Sequence, residues 1–159
     1  MKEYLKILET CGFVVVRRKI PKELPAVLLK RYKNIPADYL TFLSQFEQVT
    51  HREGTSWFIS IEDFNGETDT DFEWNNFELQ SLKTLEGDED ECKNMRSFWN
   101  NHIPILMAVT TYEYLAICLE DGKHGEIVHG VEPIVEDTSK VCNSFEELMI
   151  LFEKPLVQT

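Results

Sequence analysis

Apolar residues recur at helical spacing in residues 35–46, IPADYLTFLSQF. Pro36 suits the first helical position, and Asp38 lies near the positive end of the helix dipole. The apolar side chains that this spacing places on one face are Tyr39, Leu40, Leu43 and Phe46. The pattern therefore predicts an amphipathic helix.

The last amphipathic pattern covers residues 144–152. Ser144 and Glu147 have the spacing of a capping box, and Pro155 ends the pattern. Its apolar side chains are Phe145, Leu148, Met149, Leu151 and Phe152. We predict a helix here and shorter helices at residues 4–11, 26–32 and 92–99.

Apolar and β-branched residues form short runs between these helices. Extended segments are predicted at residues 13–19 and 55–61, and a meander is predicted at residues 103–109, 112–119 and 126–131. The run at 112–119 is apolar on both faces, which is typical of a central strand. The pattern predicts a single α+β domain over residues 1–159, with a mainly antiparallel sheet of about five to six strands and helices packed against it.

Length and composition argue against a membrane-spanning protein and a secreted one. The chain has 159 residues, of which 43% are hydrophobic, and no apolar run approaches the roughly 20 residues of a membrane span. No secretory signal is recognisable, so we predict a cytoplasmic protein that binds no membrane. The four cysteines are widely spaced, without a C-x-x-C pair, which indicates neither a zinc site nor a redox motif. Two disulfides are possible by number, but a reducing cytoplasm favours free thiols.

The net charge of -12 is concentrated in the central acidic region, residues 53–92, which contains 13 acids and one base. Residues 1–52 are mildly basic, with ten bases and five acids. Contacts to phosphates would add repulsion here instead of releasing counterions, so binding to nucleic acid is not expected. The region is compatible with a docking face for a basic partner, although an isolated acidic run is more commonly solvated surface.

Aromatic side chains interleave with these acids, as they do at binding hot spots, although they are also compatible with a core element. The run EGDEDE at residues 86–91 contains no hydrophobic residue and is predicted to be exposed. The candidate partner-binding residues are Asp69, Asp71, Glu73, Trp74, Glu86, Asp88, Glu89, Asp90 and Glu91.

The sequence contains no familiar catalytic or phosphate-binding motif, so we predict neither enzymatic activity nor a cofactor. The nearest metal-like group is His124, Glu126 and His129, but on a strand the third side chain would point away from the other two. Three tryptophans, Trp57, Trp74 and Trp99, are candidates for a ligand pocket or, more commonly, for the core.

Three blocks in order resemble the SUKH superfamily, which contains the fungal cell-wall assembly regulator and many bacterial immunity proteins. They are the Pro-opened helix at residues 35–46, the strands at 104–131, and VCNSFEELMILF at 141–152. The three blocks contain about a third of the chain, and the resemblance depends on their order and spacing. The chain departs from the family pattern at residues 46–49, FEQV, where members often have an Asn-Gly-Gly-like turn.

The resemblance implies an α+β fold and, for bacterial members, a role in binding and neutralising a cognate toxin, often a nuclease. It supplies no catalytic residue and no interface residue. We therefore expect a non-enzymatic immunity-type protein, a monomer or weak dimer, whose partner is a basic toxin domain. The alternative is a regulatory or scaffold protein of the cell-wall assembly regulator type that binds several partners.

Overall fold

A computed structural model describes residues 4–68 and 72–153, and for residues 134–136 and 153 it describes the backbone alone. The fold is α+β, as predicted. The strands in this part of the chain are β1 Phe13–Arg17, β2 Phe46–His51, β3 Ser56–Phe58, β4 His102–Ala108, β5 Glu113–Cys118, β6 Ile127–Val131 and β7 Ile134–Cys142. The helices are α1 Tyr4–Thr10, α2 Ala26–Arg31, α3 Ala37–Gln45, α4 Ile61–Phe64, α5 Asn76–Thr84, α6 Glu89–Asn100 and α7 Phe145–Glu153.

The strands form one antiparallel sheet in which each strand pairs with its neighbours in the chain, in the order β1-β2-β3-β4-β5-β6-β7. Its seven described strands exceed the predicted five to six. The connection from β1 to β2 carries α2 and α3, and the connection from β3 to β4 carries α4, α5 and α6. The central acidic region therefore corresponds mainly to this second connection.

Helices cover both faces of the sheet. Successive strand residues point to opposite sides, so neighbouring residues of one strand contact different helices. Phe58 contacts Phe42 of α3 and Phe145 of α7. Tyr114 of β5 contacts Phe77 of α5 and Trp99 of α6 on the other side. The prediction that residues 112–119 form a strand covered on both faces is confirmed in its centre, where residues 116–118 are buried.

The structure corrects the predicted buried face of α3. The buried side chains are Tyr39, Phe42 and Leu43, whereas Leu40 is 39% exposed. Pro36 is the N-cap and not the first helical residue. Phe46 is buried, but it begins β2, because α3 ends and the strand starts without an intervening turn.

Two strands were not predicted, β2 and β7. Their sequences, FEQVTH and IVEDTSKVC, are rich in polar residues and lack a sustained apolar alternation. Each is defined by backbone pairing with a neighbour, β2 with β1 and β3, and β7 with β6. At residues 46–49, where the family pattern has a turn, this chain therefore has a strand.

The closing helix α7 is capped as predicted, with one difference. The Glu147 N–H donates to Ser144 Oγ at 3.1 Å, but the Glu147 carboxylate accepts from the N–H of Asn143 and not from that of the cap. Leu151, predicted to be buried, is 38% exposed, while Phe145, Leu148 and Met149 are buried. The predicted stop at Pro155 lies outside the described residues.

We expect Ser144→Ala to lower the free energy of unfolding by about 1 kcal/mol, because it removes the acceptor for an otherwise unpaired helix N–H. Urea denaturation followed by circular dichroism measures the change. The matched control is Ser97→Ala, at an exposed site in α6, for which less than about 0.5 kcal/mol is expected. Equal effects of the two substitutions would show that the cap contributes nothing to stability.

All four cysteines are free thiols in the structure. Cys118 and Cys142 are buried, and burial raises the pKa of both thiols. Cys11 and Cys92 are partly buried, and their thiols point at the carbonyl oxygens of Phe152 and Leu85. Their environments are those of small packing residues.

Candidate functional site

The predicted partner-binding residues divide into three groups. Glu73 is exposed and Trp74 is partly buried, just before α5. The second group, here called the acidic turn, lies after α5 and consists of Glu86, Asp88, Glu89, Asp90 and Glu91. The third group, Asp69 and Asp71, falls outside the described residues.

Part of the central acidic region is neutralised by bases from the first third of the chain. Arg18 Nη1 lies 2.6 Å from Glu62 Oε2, and Lys22 pairs with Glu67. Arg31 Nη2 lies 2.8 Å from Glu78 Oε2. The mildly basic segment and the acidic segment therefore meet within the fold, and the free negative charge is smaller than the sequence count.

The Arg18–Glu62 pair is the most enclosed of these contacts, with side chains 4% and 15% exposed. Burial acts to raise the pKa of Glu62, but the hydrogen bonds from Arg18 and the backbone, together with the charges of Arg18 and Lys22, outweigh it and hold the pKa below its usual value. Arg18 also donates to the carbonyl oxygens of Leu43 and Phe46, at the junction of α3 and β2. This pair thus has a structural role.

The acidic turn is different, because none of its five carboxylates forms an ion pair within residues 4–68 and 72–153. Asp88 is the N-cap of α6, and its Oδ1 accepts from the Glu91 N–H at 3.2 Å. Glu89, Asp90 and Glu91 occupy the first helical turn, where the helix dipole favours negative charge. The fold thus stabilises this concentration of charge.

The acidic turn also borders an open groove of about 580 Å³ between α5 and α6. Glu86, Glu89 and Asp90 line it, and Leu82 supplies apolar surface. Lys93 and Arg96 of α6 line the same groove and reduce the local negative field without cancelling it. The predicted exposure of this segment is confirmed, except that Glu91 is partly buried.

Trp74 is packed against the fold. Its ring lies 5.4 Å from that of Phe64 and 6.2 Å from that of Tyr32, and the Arg31 guanidinium lies 5.8 Å from its centroid. The nine residues of α5, which span roughly 13 Å, separate Trp74 from the acidic turn. The structure therefore places this aromatic candidate and the acidic turn at opposite ends of one helix.

A second acidic feature was missed in the sequence because β2 was not predicted. An open cleft of about 560 Å³ lies along β2 and β3, and Glu47, Trp57 and Asp63 are among its lining residues. Its other acids, Glu62 and Glu67, are already paired with Arg18 and Lys22. The cleft therefore holds less uncompensated charge than the acidic turn.

The three residues considered as a metal-like group have separate partners. His124 Nε2 lies 2.6 Å from the Asn34 carbonyl oxygen, and His129 Nε2 lies 3.1 Å from Glu113 Oε1. Glu126 lies 3.8 Å from Lys140. Within the described ranges, no three His, Cys, Asp or Glu side chains are grouped in a way that could hold a metal ion.

The comparisons with known proteins found no matching family model, no similar curated protein and no similar solved structure. Among the helices of the described residues, none is both long and apolar enough to cross a membrane.

Proposed function

We propose that this chain is a non-enzymatic protein-binding domain of the immunity type, which binds and neutralises a basic toxin domain in the cytoplasm. The acidic turn supports the proposal, because its carboxylates are held at one place on the surface and have no cation paired with them within residues 4–68 and 72–153. The resemblance of three sequence blocks to the SUKH superfamily supports the same role.

The proposed mode of action is electrostatic mimicry. A nuclease has a cationic substrate cleft that accepts phosphates, and a rigid row of carboxylates presents similar charge to it. Complementary potential raises the association rate and the specificity for such a partner. The acidic turn is suited to this role because the Asp88 cap and the first turn of α6 hold its backbone in place before binding.

A capture experiment tests the proposal. Wild-type protein and a neutralised variant carrying Glu86→Gln, Glu89→Gln, Asp90→Asn and Glu91→Gln serve as bait for lysate and secreted proteins of the native organism. Asp88 is retained so that the cap of α6 survives. We expect wild type to capture one basic protein and to inhibit its activity at a 1:1 ratio, and the variant to bind about tenfold or more weakly, with a smaller salt dependence.

The matched control removes the same number of charges from exposed sites elsewhere, Glu9→Gln, Glu23→Gln, Glu120→Gln and Asp121→Asn. We expect its affinity to stay within about twofold of wild type. Unchanged affinity of the first variant would overturn the proposed interface. Several weakly bound proteins, or one partner that stays fully active at saturation, would overturn the inhibitor role and favour the regulatory or scaffold alternative.

A further inference from the structure

Several polar groups are buried without a partner where α5 and α6 pack on the sheet. Trp99 is 2% exposed and Tyr114 is fully enclosed, yet neither the indole N–H nor the phenol O–H has a hydrogen-bond partner in the described part of the chain. Both carboxyl oxygens of Glu132 are buried and lack a partner in the same way. Such groups are uncommon in folded proteins, because each carries a desolvation cost.

These groups lie close together. The rings of Trp99 and Tyr114 are 4.8 Å apart, and Tyr114 is paired across the strands with Gly130, two residues before Glu132. The Glu132 N–H donates to the Tyr112 carbonyl oxygen at 2.9 Å, which places the residue at the end of β6. The Trp99 indole N–H is near enough to influence the Glu132 carboxyl but does not complete a hydrogen bond of normal geometry.

A small cavity reaches this cluster at Trp99, whereas Tyr114 and Glu132 are not among its lining residues. It is lined by Trp99, by Asn75 and Glu78 of the α5 region, and by Tyr32, Trp74, Phe77 and Pro104. The buried Asn75 Oδ1 also lacks a partner among the described residues. The cavity volume of about 10 Å³ is close to the space that one water molecule needs, and a water is stable where several polar groups surround it.

We propose that the unpartnered groups of Glu132, Trp99, Tyr114 and Asn75 form an internal water-binding site that links α5 and α6 to the sheet, and that ionisation of Glu132 opens this site. A water in the cavity can accept from the Trp99 indole N–H and donate to Asn75 Oδ1. The carboxylic acid form of Glu132 can donate to the same network. The site therefore takes a neutral hydrogen-bonding molecule of the size of water.

The surroundings determine the sign of the pH response. Burial, followed by the nearby Glu78 carboxylate, raises the pKa of Glu132 to about 8, while the Trp99 indole acts weakly in the opposite direction. The described charged and titratable groups facing this site are Glu78 of α5, Arg31 and Tyr32 of the α2 segment, and Tyr114 of β5. Arg31 is already paired with Glu78, so it does not neutralise Glu132.

In the closed state α5 and α6 pack on the sheet and Glu132 is buried, and in the open state the Glu132 carboxyl is solvated. A carboxyl whose pKa is higher in the closed state than in the open state binds more protons when the site is closed. The stability of the closed state is therefore complete below the ordinary carboxyl pKa of 4.5, falls as the pH rises towards 8, and is constant above that value. The equilibrium constant for opening should rise by about tenfold per pH unit between about pH 5.5 and 7.5.

Amide hydrogen exchange of α5 and α6, corrected for the intrinsic exchange rate, measures this opening. We expect the steep rise in wild type and a flat profile in Glu132→Gln, which keeps the shape of the side chain but cannot ionise. The control Glu120→Gln, at an exposed turn, should keep the wild-type slope. A flat profile in wild type, or the wild-type slope in Glu132→Gln, would overturn the proton control.

Two measurements on unaltered protein remain decisive if Glu132→Gln does not fold. Difference infrared spectroscopy should show the C=O stretch of a protonated carboxyl at neutral pH, with its loss as the pH is raised above 8. A crystal structure should show one water within hydrogen-bond distance of Trp99 Nε1 and Asn75 Oδ1. An empty cavity would overturn the water site. A Ca²⁺ ion bound at this position, together with suppression of the opening by millimolar Ca²⁺, would also overturn it.

Discussion

Arg18→Met is expected to lower the free energy of unfolding by about 3–5 kcal/mol, the range observed when one partner of a buried ion pair is removed. Arg18 makes two hydrogen bonds to Glu62, at 2.6 and 2.8 Å, in the paired geometry that planar guanidinium and carboxylate groups favour. After the substitution, Lys22, whose Nζ lies 3.7 Å from the carboxylate, is the one cation within ion-pair distance of Glu62, 15% exposed, among the described residues. It also removes the donor to the carbonyl oxygens of Leu43 and Phe46.

Urea denaturation of four proteins separates charge from packing: wild type, Arg18→Met, Glu62→Leu and the double variant. We expect the double variant to recover a large part of the stability lost in Arg18→Met, because no unpaired carboxylate then remains at the site. If the double variant is as unstable as Arg18→Met, the loss arises from the missing carbonyl contacts and not from the uncompensated charge.

The pH dependence of Arg18→Met has a defined sign. The pKa of Glu62 is lower in the folded protein than its ordinary value of 4.5. The stabilisation from the pair is therefore complete above about pH 4.5 and is lost as the pH falls through the folded pKa. The stability difference between wild type and Arg18→Met should shrink below pH 4.5, whereas a difference independent of pH would contradict an ionised pair.

Gly130→Ala is expected to destabilise the protein by about 3 kcal/mol through steric overlap in a packed interior. A Cβ atom at this position would lie 2.3 Å from Tyr114 Oη, 2.4 Å from Tyr114 Cζ and 2.7 Å from Thr138 Cγ2. These atoms belong to neighbouring strands, and Tyr114 is also held between Phe77 and Trp99. The Tyr114 ring cannot move aside without disturbing the packing of α5 and α6 on the sheet.

The matched control is Gly66→Ala, where the backbone has a φ of +70° but no atom lies within 4 Å of the added Cβ. Its cost is conformational and should be about 1 kcal/mol. Chemical denaturation and the thermal midpoint measure both variants. If the overlap with Tyr114 causes the loss, Gly130→Ala should lower the free energy of unfolding by less when Tyr114 is replaced by Val than in the wild-type protein. A Gly130→Ala effect no larger than that of Gly66→Ala would contradict this account.

Local sequence patterns correctly predict those elements whose apolar residues and capping residues lie within one or two turns of one another. The stripe of α3, the Ser144 cap of α7 and the two-sided apolar strand β5 are all visible in the sequence. The error at Leu40 is local in origin. It follows Tyr39 directly and lies about 100° away around the helix, so only part of the predicted face can contact the sheet.

For the candidate partner-binding residues, too, some features could be predicted from the sequence and others could not. The exposure of the acidic turn follows from a segment with no apolar side chain, and the structure agrees except at Glu91, which is partly buried. The separation of Trp74 from that turn could not be predicted, because it depends on whether residues 76–84 form a helix, and their periodicity is ambiguous. Likewise, the cleft along β2 and β3 requires strand pairing that a polar sequence such as FEQVTH does not indicate.

The sequence by itself determined the α+β class, the main amphipathic helices, the central meander and the concentration of negative charge in residues 53–92. These features depend on side chains close to one another along the chain. Only the tertiary structure decided which acids are neutralised, since Arg18 meets Glu62 across 44 residues and Arg31 meets Glu78 across 47. It also decided the burial of Glu132, because the desolvation of a carboxyl depends on what packs over it and not on its neighbours in sequence.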